Sequence, residues 1–242
     1  MKEYQRSIVE PGEGFFSVKA SERVLFLPAG PFARIFAARF FAKKIRRRPY
    51  PARIYRLKRN GVEIDLVGPA MGAPVAVMVT EMLIAGGARK IIALGFAGSI
   101  DPGLRIGDIY IINESLVDEG TSNCYFPGIK SALASESLTN ALKQGFEGKA
   151  INYQVGKAMC TDGFFRETQD KLDAFKPQGA RAVEMEMSAL YAVARFRSVE
   201  LTGMTVISDE HTGGEWKSGF KSPSMFLKFH SAAEAALSVL SK

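Results

Sequence analysis

Acidic residues are absent from a long stretch of this 242-residue chain: none occurs from Arg23 to Val62. Within it, Lys43, Lys44, Arg46, Arg47, Arg48, Arg53, Arg56, Lys58 and Arg59 gather most of the excess behind a net charge of +7. Cysteine is scarce too. Cys124 and Cys160 are the only two, and neither lies in a CxxC or beside a histidine pair. That excludes a disulfide framework and a structural zinc site, and it fits a reduced, cytoplasmic setting. His211 and His230 are the only histidines. Neither has a partner at metal or triad spacing, so both read as structural or surface residues and no metal is expected. Long apolar runs are missing: Val24–Ala33 and Ile91–Ile100 are cut by Gly or Pro and are too short to span a bilayer. The opening MKEYQRSIVEPGEG has no apolar core, so no signal peptide and no membrane partner are expected. GxSxG, HExxH, kinase and standard nucleotide-loop motifs are also absent.

What is present is average globular material, 47% hydrophobic and 24% charged, enough for a large core. The basic stretch includes Tyr50 and Tyr55, but no recognised nucleic-acid motif surrounds them. It therefore reads as a solvated helix end, a strand edge or the rim of a subunit contact rather than a nucleic-acid surface. Residues 1–22 look irregular, and residues 23–242 read as one domain. Val24–Leu27 has the pattern of a buried strand. Pro31 opens a helix carrying Phe32, Ile35, Phe36 and Phe40 to about Arg47. Asn60-Gly61 between two alternating runs signals a hairpin. Ala73–Ala85 reads as a helix, Lys90–Leu94 as a strand entering a loop Gly95–Ser99, and Asp108–Asn113 as a strand. Leu133–Gln144, Arg166–Phe175 and Pro223–Leu240 read as helices. Tyr153–Met159, Ala182–Met185 and Leu201–Ser208 read as strands, and a helix after Met185 ends near Phe196. Alternating strands and helices predict a single α/β domain with a mixed, largely parallel sheet flanked by helices. Ligands of such sheets sit at the carboxyl ends of strands, which points to the loop after Leu94, the segment after Met159, and Ser208-Asp209.

Two features there carry chemistry. Glu184-Met185-Glu186 sets two carboxylates at a strand-to-helix junction, where they can serve the helix dipole or accept hydrogen bonds from a sugar diol. Asp209 follows the apolar Thr205–Ser208 and is either a helix cap or an acid at the open end of the sheet.

GPAMGAP (Gly68–Pro74), LGFAGSIDPGLRIGD (Leu94–Asp108), DEGTSNCYFP (Asp118–Pro127), CTDGFF (Cys160–Phe165), AVEMEMSALY (Ala182–Tyr191) and VISD (Val206–Asp209) occur in this order. In that order they resemble the nucleoside phosphorylase superfamily, the trimeric or hexameric type with purine nucleoside and uridine phosphorylases and adenosylhomocysteine-type nucleosidases. The resemblance spans about residues 24–240. It implies cleavage of the N-glycosidic bond of a purine nucleoside, a small-molecule partner, a salvage role and a homo-oligomer. No cofactor is implied beyond phosphate as co-substrate. Glu186 would hold the ribose diol, Met185 would pack under the sugar, and Phe164 would stack on the base. Gly98 and Ser208 would line the substrate site. Asp209 would protonate the leaving base, which requires a raised pKa. Phe165 stands where many members carry Tyr, so one sugar contact would be lost. The Phe32, Phe36, Phe40 and Phe41 stripe would form the oligomer contact.

The departures concern phosphate. The family's PGDPxR loop is replaced by Pro28–Arg34, its arginine before the glycine loop by Ala93, and its hydroxyl residue by Phe96. Arg34, Arg48 and Arg53 are the residues left to rebuild an anion site, one of them from a neighbouring subunit. The arginine that assists the acid has no match, leaving Lys217 or Lys221. The histidine that hexameric members lend a neighbour is absent. Phosphorolysis is the expected route. Hydrolysis by water, or nucleoside binding without catalysis, is the alternative.

Overall fold

The computed structural model describes residues 7–46, 48–212 and 215–242; Arg47 of the basic run lies outside them. Residues 7–22 carry one short 3-10 turn, Gly14–Phe16. The strands are β1 (Arg23–Phe26), β2 (Lys43–Lys44), β3 (Arg53–Arg59), β4 (Val62–Gly68), β5 (Lys90–Ser99), β6 (Ile109–Asp118) and β7 (Ser131–Leu133). β8 (Gln154–Thr161), β9 (Ala180–Glu184), β10 (Glu200–Thr212) and β11 (Glu215–Ser218) follow. The helices are α1 (Phe32–Arg39), α2 (Ala73–Ala85), α3 (Thr121–Tyr125), α4 (Glu136–Glu147), α5 (Gln169–Phe175), α6 (Met187–Arg197) and α7 (Pro223–Leu240).

The sheet is mixed, and its centre is parallel: β4, β1, β5 and β10 run side by side in one direction, as do β6, β8 and β9. Antiparallel contacts between β10 and β6 and between β5 and β9 join these two groups into a closed ring. Hairpins add the remaining edges. Asn60 (φ 51°) and Gly61 (φ 84°) make the tight turn between β3 and β4, the left-handed geometry that Asn-Gly tolerates.

Both faces of the central strands are buried, as a parallel sheet requires. Along β1, Leu25 faces the layer of α1, α4 and α7, while Val24 and Phe26 face that of α2 and α6. Phe229 of α7 is buried among aromatic rings, its centroid 4.4 Å from Phe32 and 4.6 Å from Phe96. No described helix is long and apolar enough to cross a membrane.

Several boundaries differ from expectation. α1 stops at Arg39, not near Arg47, because Phe41 takes a left-handed φ of 54° and the chain turns into β2. Its aromatic stripe is mostly core: Phe32 and Phe36 are buried within the chain, Phe40 is half-buried, and Phe41 alone of the four stands out at 91% exposure. Gly95–Ser99 is not a loop but the second half of β5, held by β10 on one side and at its tip by β9. α4 starts at Glu136 because Ser131–Leu133 pairs with β6 instead. A 3-10 turn, Phe164–Arg166, precedes α5, which begins only at Gln169. β10 runs past Ser208 to Thr212 because β11 pairs with its polar end. Arg56 makes a bidentate ion pair with buried Asp65, at 2.7 and 2.9 Å, and Arg59 meets Glu234 at 2.9 Å. Part of the basic segment is thus tied into the fold.

Candidate functional site

A cleft of about 1010 Å³ opens where the parallel strands end. Its walls come from the turn after β1, Phe96–Gly98 of β5, Asp162–Glu167 after β8, Val183–Glu186, Ser208-Asp209 of β10 and Phe220–Phe226 before and within α7. Phe164, Met185, Glu186, Gly98, Ser208 and Asp209, far apart in sequence, all line it.

The two glutamates at the head of α6 divide the roles that the sequence left open. Glu184 Oε2 accepts the backbone N–H groups of Glu186 (2.6 Å) and Met187 (2.8 Å), so this carboxylate satisfies the free donors of the helix start. Glu186 points the other way, accepting the Gly72 N–H at 2.7 Å from the GPAMG loop. Both are buried, and burial raises both pKa values; the charge of Glu184 pushes Glu186 up further. Phe164 is 39% exposed and meets Phe165 edge-on at 5.1 Å, while Phe165 itself is 93% exposed.

Asp209 is neither a cap nor the end of a strand. A bulge in the β10–β5 register between Ile207 and Asp209 re-aims the chain, and Asp209 sits inside β10. Its Oδ1 accepts the Ser208 hydroxyl at 2.6 Å. Its Oδ2 accepts His211 Nε2 and Trp216 Nε1, each at 2.9 Å. Burial alone would raise its pKa, but these three donors and the charge on His211 outweigh it and hold the carboxyl below its usual value. The raised pKa expected of an acid at this position is therefore not found. Gly98 is explained by the same group: a Cβ there would lie 2.8 Å from His211 Nε2 and 2.9 Å from Asp209 Oδ2.

His211 corrects the reading of it as structural or surface. Asp209 and His211 are two apart on a strand, so they share a face, and this spacing was visible in the sequence. Glu167 was not singled out by sequence reasoning. Its Oε2 lies 3.4 Å from His211 Nε2, and burial pushes its pKa up to about 7, with the charge on Asp209 adding to the rise. Asp209 lowers its own pKa at the expense of His211, whose pKa is raised chiefly by that hydrogen bond. Trp216, on β11, takes the place expected for Lys217 or Lys221; neither lysine lines the cleft.

None of Arg34, Arg48 and Arg53 lines the cleft within one chain. Arg34 is exposed on α1, Arg48 donates to the Pro51 carbonyl at 3.2 Å, and Arg53 begins β3 opposite Gly68. Phe32 and Phe96 stand in contact, centroids 5.3 Å apart, on the wall where an anion would be sought. Among the described residues, Arg166 is the cation that lines the cleft. No group of three His, Cys, Asp or Glu among them is arranged to hold a metal ion.

The comparisons with known proteins agree with this geometry. The profile of the phosphorylase superfamily matches residues 24–241. A purine nucleoside phosphorylase of the DeoD type from Bacillus thuringiensis is 30% identical over 159 residues, covering 64% of this chain and 67% of the relative. Of solved structures, purine nucleoside phosphorylase from Toxoplasma gondii, in complex with immucillin-H, shares the fold with a TM-score of 0.84 at 16% identity and 98% coverage of both chains. AMP nucleosidase from Bacteroides thetaiotaomicron shares it with a TM-score of 0.74 at 19% identity, over 91% of this chain and 88% of that one.

Proposed function

From the premise that this chain belongs to the phosphorylase superfamily, we propose that it cleaves the N-glycosidic bond of a purine nucleoside. The observation that carries the reading is that Glu186 and Asp209 open on one cleft that also exposes the Phe164 ring. Bond cleavage builds positive charge on the sugar and negative charge on the base. Glu186 accepts the ribose hydroxyls and, as a carboxylate, favours the cationic sugar. Phe164 stacks on the base and Met185 packs under the ribose. Asp209 is the group at the base, where the departing electron pair takes up a proton.

The two phosphorylases among the named relatives support phosphate as the acceptor, which yields free base and ribose 1-phosphate, whereas the third is a nucleosidase. One observation favours water instead: Arg166 apart, the described cleft wall offers acids and aromatic rings where a phosphate dianion needs cations. Phosphorolysis would need a cation brought by a second copy of the chain, so it predicts a homo-oligomer. The test is a panel of nucleosides incubated with and without phosphate, with the sugar product identified. Ribose 1-phosphate formed only with phosphate supports the phosphorylase reading. Free ribose at the same rate in both arms supports hydrolysis. Failure to cleave any nucleoside under either condition refutes both and leaves a binding protein.

A further inference from the structure

Asp209 and Glu167, both lining the cleft, converge on His211. A single nitrogen, His211 Nε2, lies 2.9 Å from Asp209 Oδ2 and 3.4 Å from Glu167 Oε2. The Asp209 and Glu167 side chains are 3% and 5% exposed, and that of His211 is 16% exposed. Two carboxylates this close to one nitrogen, out of water, repel each other, and a buried cluster of net negative charge takes up protons to relieve that repulsion. Asp209 has three donors and Glu167 has no hydrogen bond of that kind among the described residues, so the proton is held away from Asp209.

Resting on the glycosidic reading above, we propose that Glu167 and His211 form a proton store for Asp209, and that Glu167 is a positioning residue for the proton delivered to the leaving base. The step balances as follows. The C–N bond breaks and its electron pair stays on the base, whose ring nitrogen takes a proton that Asp209, a carboxylate at rest, first receives from His211. Asp209 takes the Nε2 proton of the His211 imidazolium, and Nε2 is reprotonated by the Glu167 carboxyl. The cluster ends one proton poorer, with the carboxylate on Glu167, and solvent restores it.

The charged groups around the store are few. Lys171, on α5, faces Glu167 but is held by Asp118 at 2.6 Å. Asp209, on β10, faces both partners, and Trp216, on β11, contributes only a neutral donor. Burial keeps Glu167 protonated up to about pH 7 and the hydrogen bond to Asp209 holds His211 charged above its ordinary range, so the store empties as pH rises through neutrality. Because the sites interact, they titrate as a cluster rather than one by one.

The test has two parts. In the wild type, the imidazole signal of His211, distinguished from His230 by the His230→Gln variant, should titrate in two steps by NMR. In Glu167→Gln it should titrate in one. A single ordinary step in the wild type overturns the proposal without any substrate. In turnover, Glu167→Gln should lose roughly tenfold or more in kcat on a purine nucleoside, less than the ~10²–10⁴ of losing the acid itself. It should also lose the wild type's decline between pH 7 and 9. An N7-methylated purine nucleoside is already cationic, so its base leaves neutral without taking up a proton, and it should be cleaved by the variant within about threefold of wild type. Equal losses on both substrates, or an unchanged pH profile, overturn the proposal while leaving the glycosidic reading intact. A wild type that cleaves neither substrate overturns that reading and this proposal together.

Discussion

Asp209→Asn separates the acid from the strand that carries it. The side chain is the same size, so the bulge and the β10–β11 hairpin are kept. The amide oxygen can still accept His211 Nε2 and Trp216 Nε1, and the amide nitrogen then faces the Ser208 hydroxyl, which can turn to donate to the Ala97 carbonyl at 3.3 Å. The three hydrogen bonds become neutral ones, each about 1 kcal/mol weaker than its charge-assisted form, or about 3 kcal/mol together. Burying an amide rather than a carboxylate offsets part of this, leaving a loss of about 1–2 kcal/mol. Domains of this kind hold about 5–15 kcal/mol, so the variant stays folded. Because Asp209 has a lowered pKa, its contribution to stability is present above the unfolded value of about 3.9 and is lost as pH falls through the folded value. The melting-temperature gap between wild type and variant should therefore be widest near pH 5–6, narrow as pH rises past 6.5 and His211 loses the charge that Asp209 stabilises, and close on acidification below about pH 4. Turnover behaves differently. Loss of the group that protonates the base should cost at least a hundredfold in kcat on a purine nucleoside, about 2.7 kcal/mol of barrier, with the fold intact. Steady-state kinetics and thermal melts on the same preparations read both numbers. Wild-type turnover in a variant that shows the expected loss of melting temperature would refute the acid assignment and leave Asp209 as the anchor of the hairpin.

Three further outcomes follow from the same geometry. Glu186→Gln should lower kcat/KM by about 2–4 kcal/mol, the scale of one preorganised electrostatic partner, measured on the best substrate. Its stability should move the other way at high pH: a carboxyl with a raised pKa costs the wild type stability as pH rises from its unfolded towards its folded value, so the variant's melting temperature should fall less between pH 5 and 9. Gly98→Ala puts a Cβ against His211 and Asp209, so kcat should fall at least tenfold while urea denaturation shows a loss of about 1–3 kcal/mol. Phe229→Ala empties the buried ring site between Phe32 and Phe96 and should cost about 3–5 kcal/mol by urea denaturation.

The layered α/β architecture was readable because β1, β5 and β10 are continuous apolar runs and because Asn60-Gly61 and Pro223 mark their turn and helix start by local chemistry alone. The extent of the strands was not. Gly95–Ser99 and the segment after Ser208 look like loops, being small or polar, yet their backbones are satisfied by each other and by β9 and β11. Such pairing is non-local and leaves no period in the sequence. Met185, Glu186, Phe164 and Asp209 were found through motif order, and the structure brings them to one cleft. Glu167 carries no local signal. It becomes notable only because α5 starts late, leaving the 3-10 turn at Phe164–Arg166 to carry it against His211.

The strongest compositional signal, the basic segment, turns out to lie away from the chemistry. Arg56 and Arg59 neutralise Asp65 and Glu234, and Lys43, Lys44 and Arg46 are exposed on the edge formed by β2 and the turn after it. The cleft is the reverse: Glu167, Glu184, Glu186 and Asp209 surround it, with Arg166 at its rim. A field of that sign stabilises a sugar that turns cationic; burial, with a neighbouring carboxylate's charge added, raises the pKa of Glu167 and Glu186, while three donors hold the Asp209 carboxyl low. The same field repels an incoming dianion and is indifferent to water. Net charge is therefore a poor guide to the acceptor here. The charges that bear on it are the few that line the cleft, and they belong to parts of the chain that composition treats as neutral background.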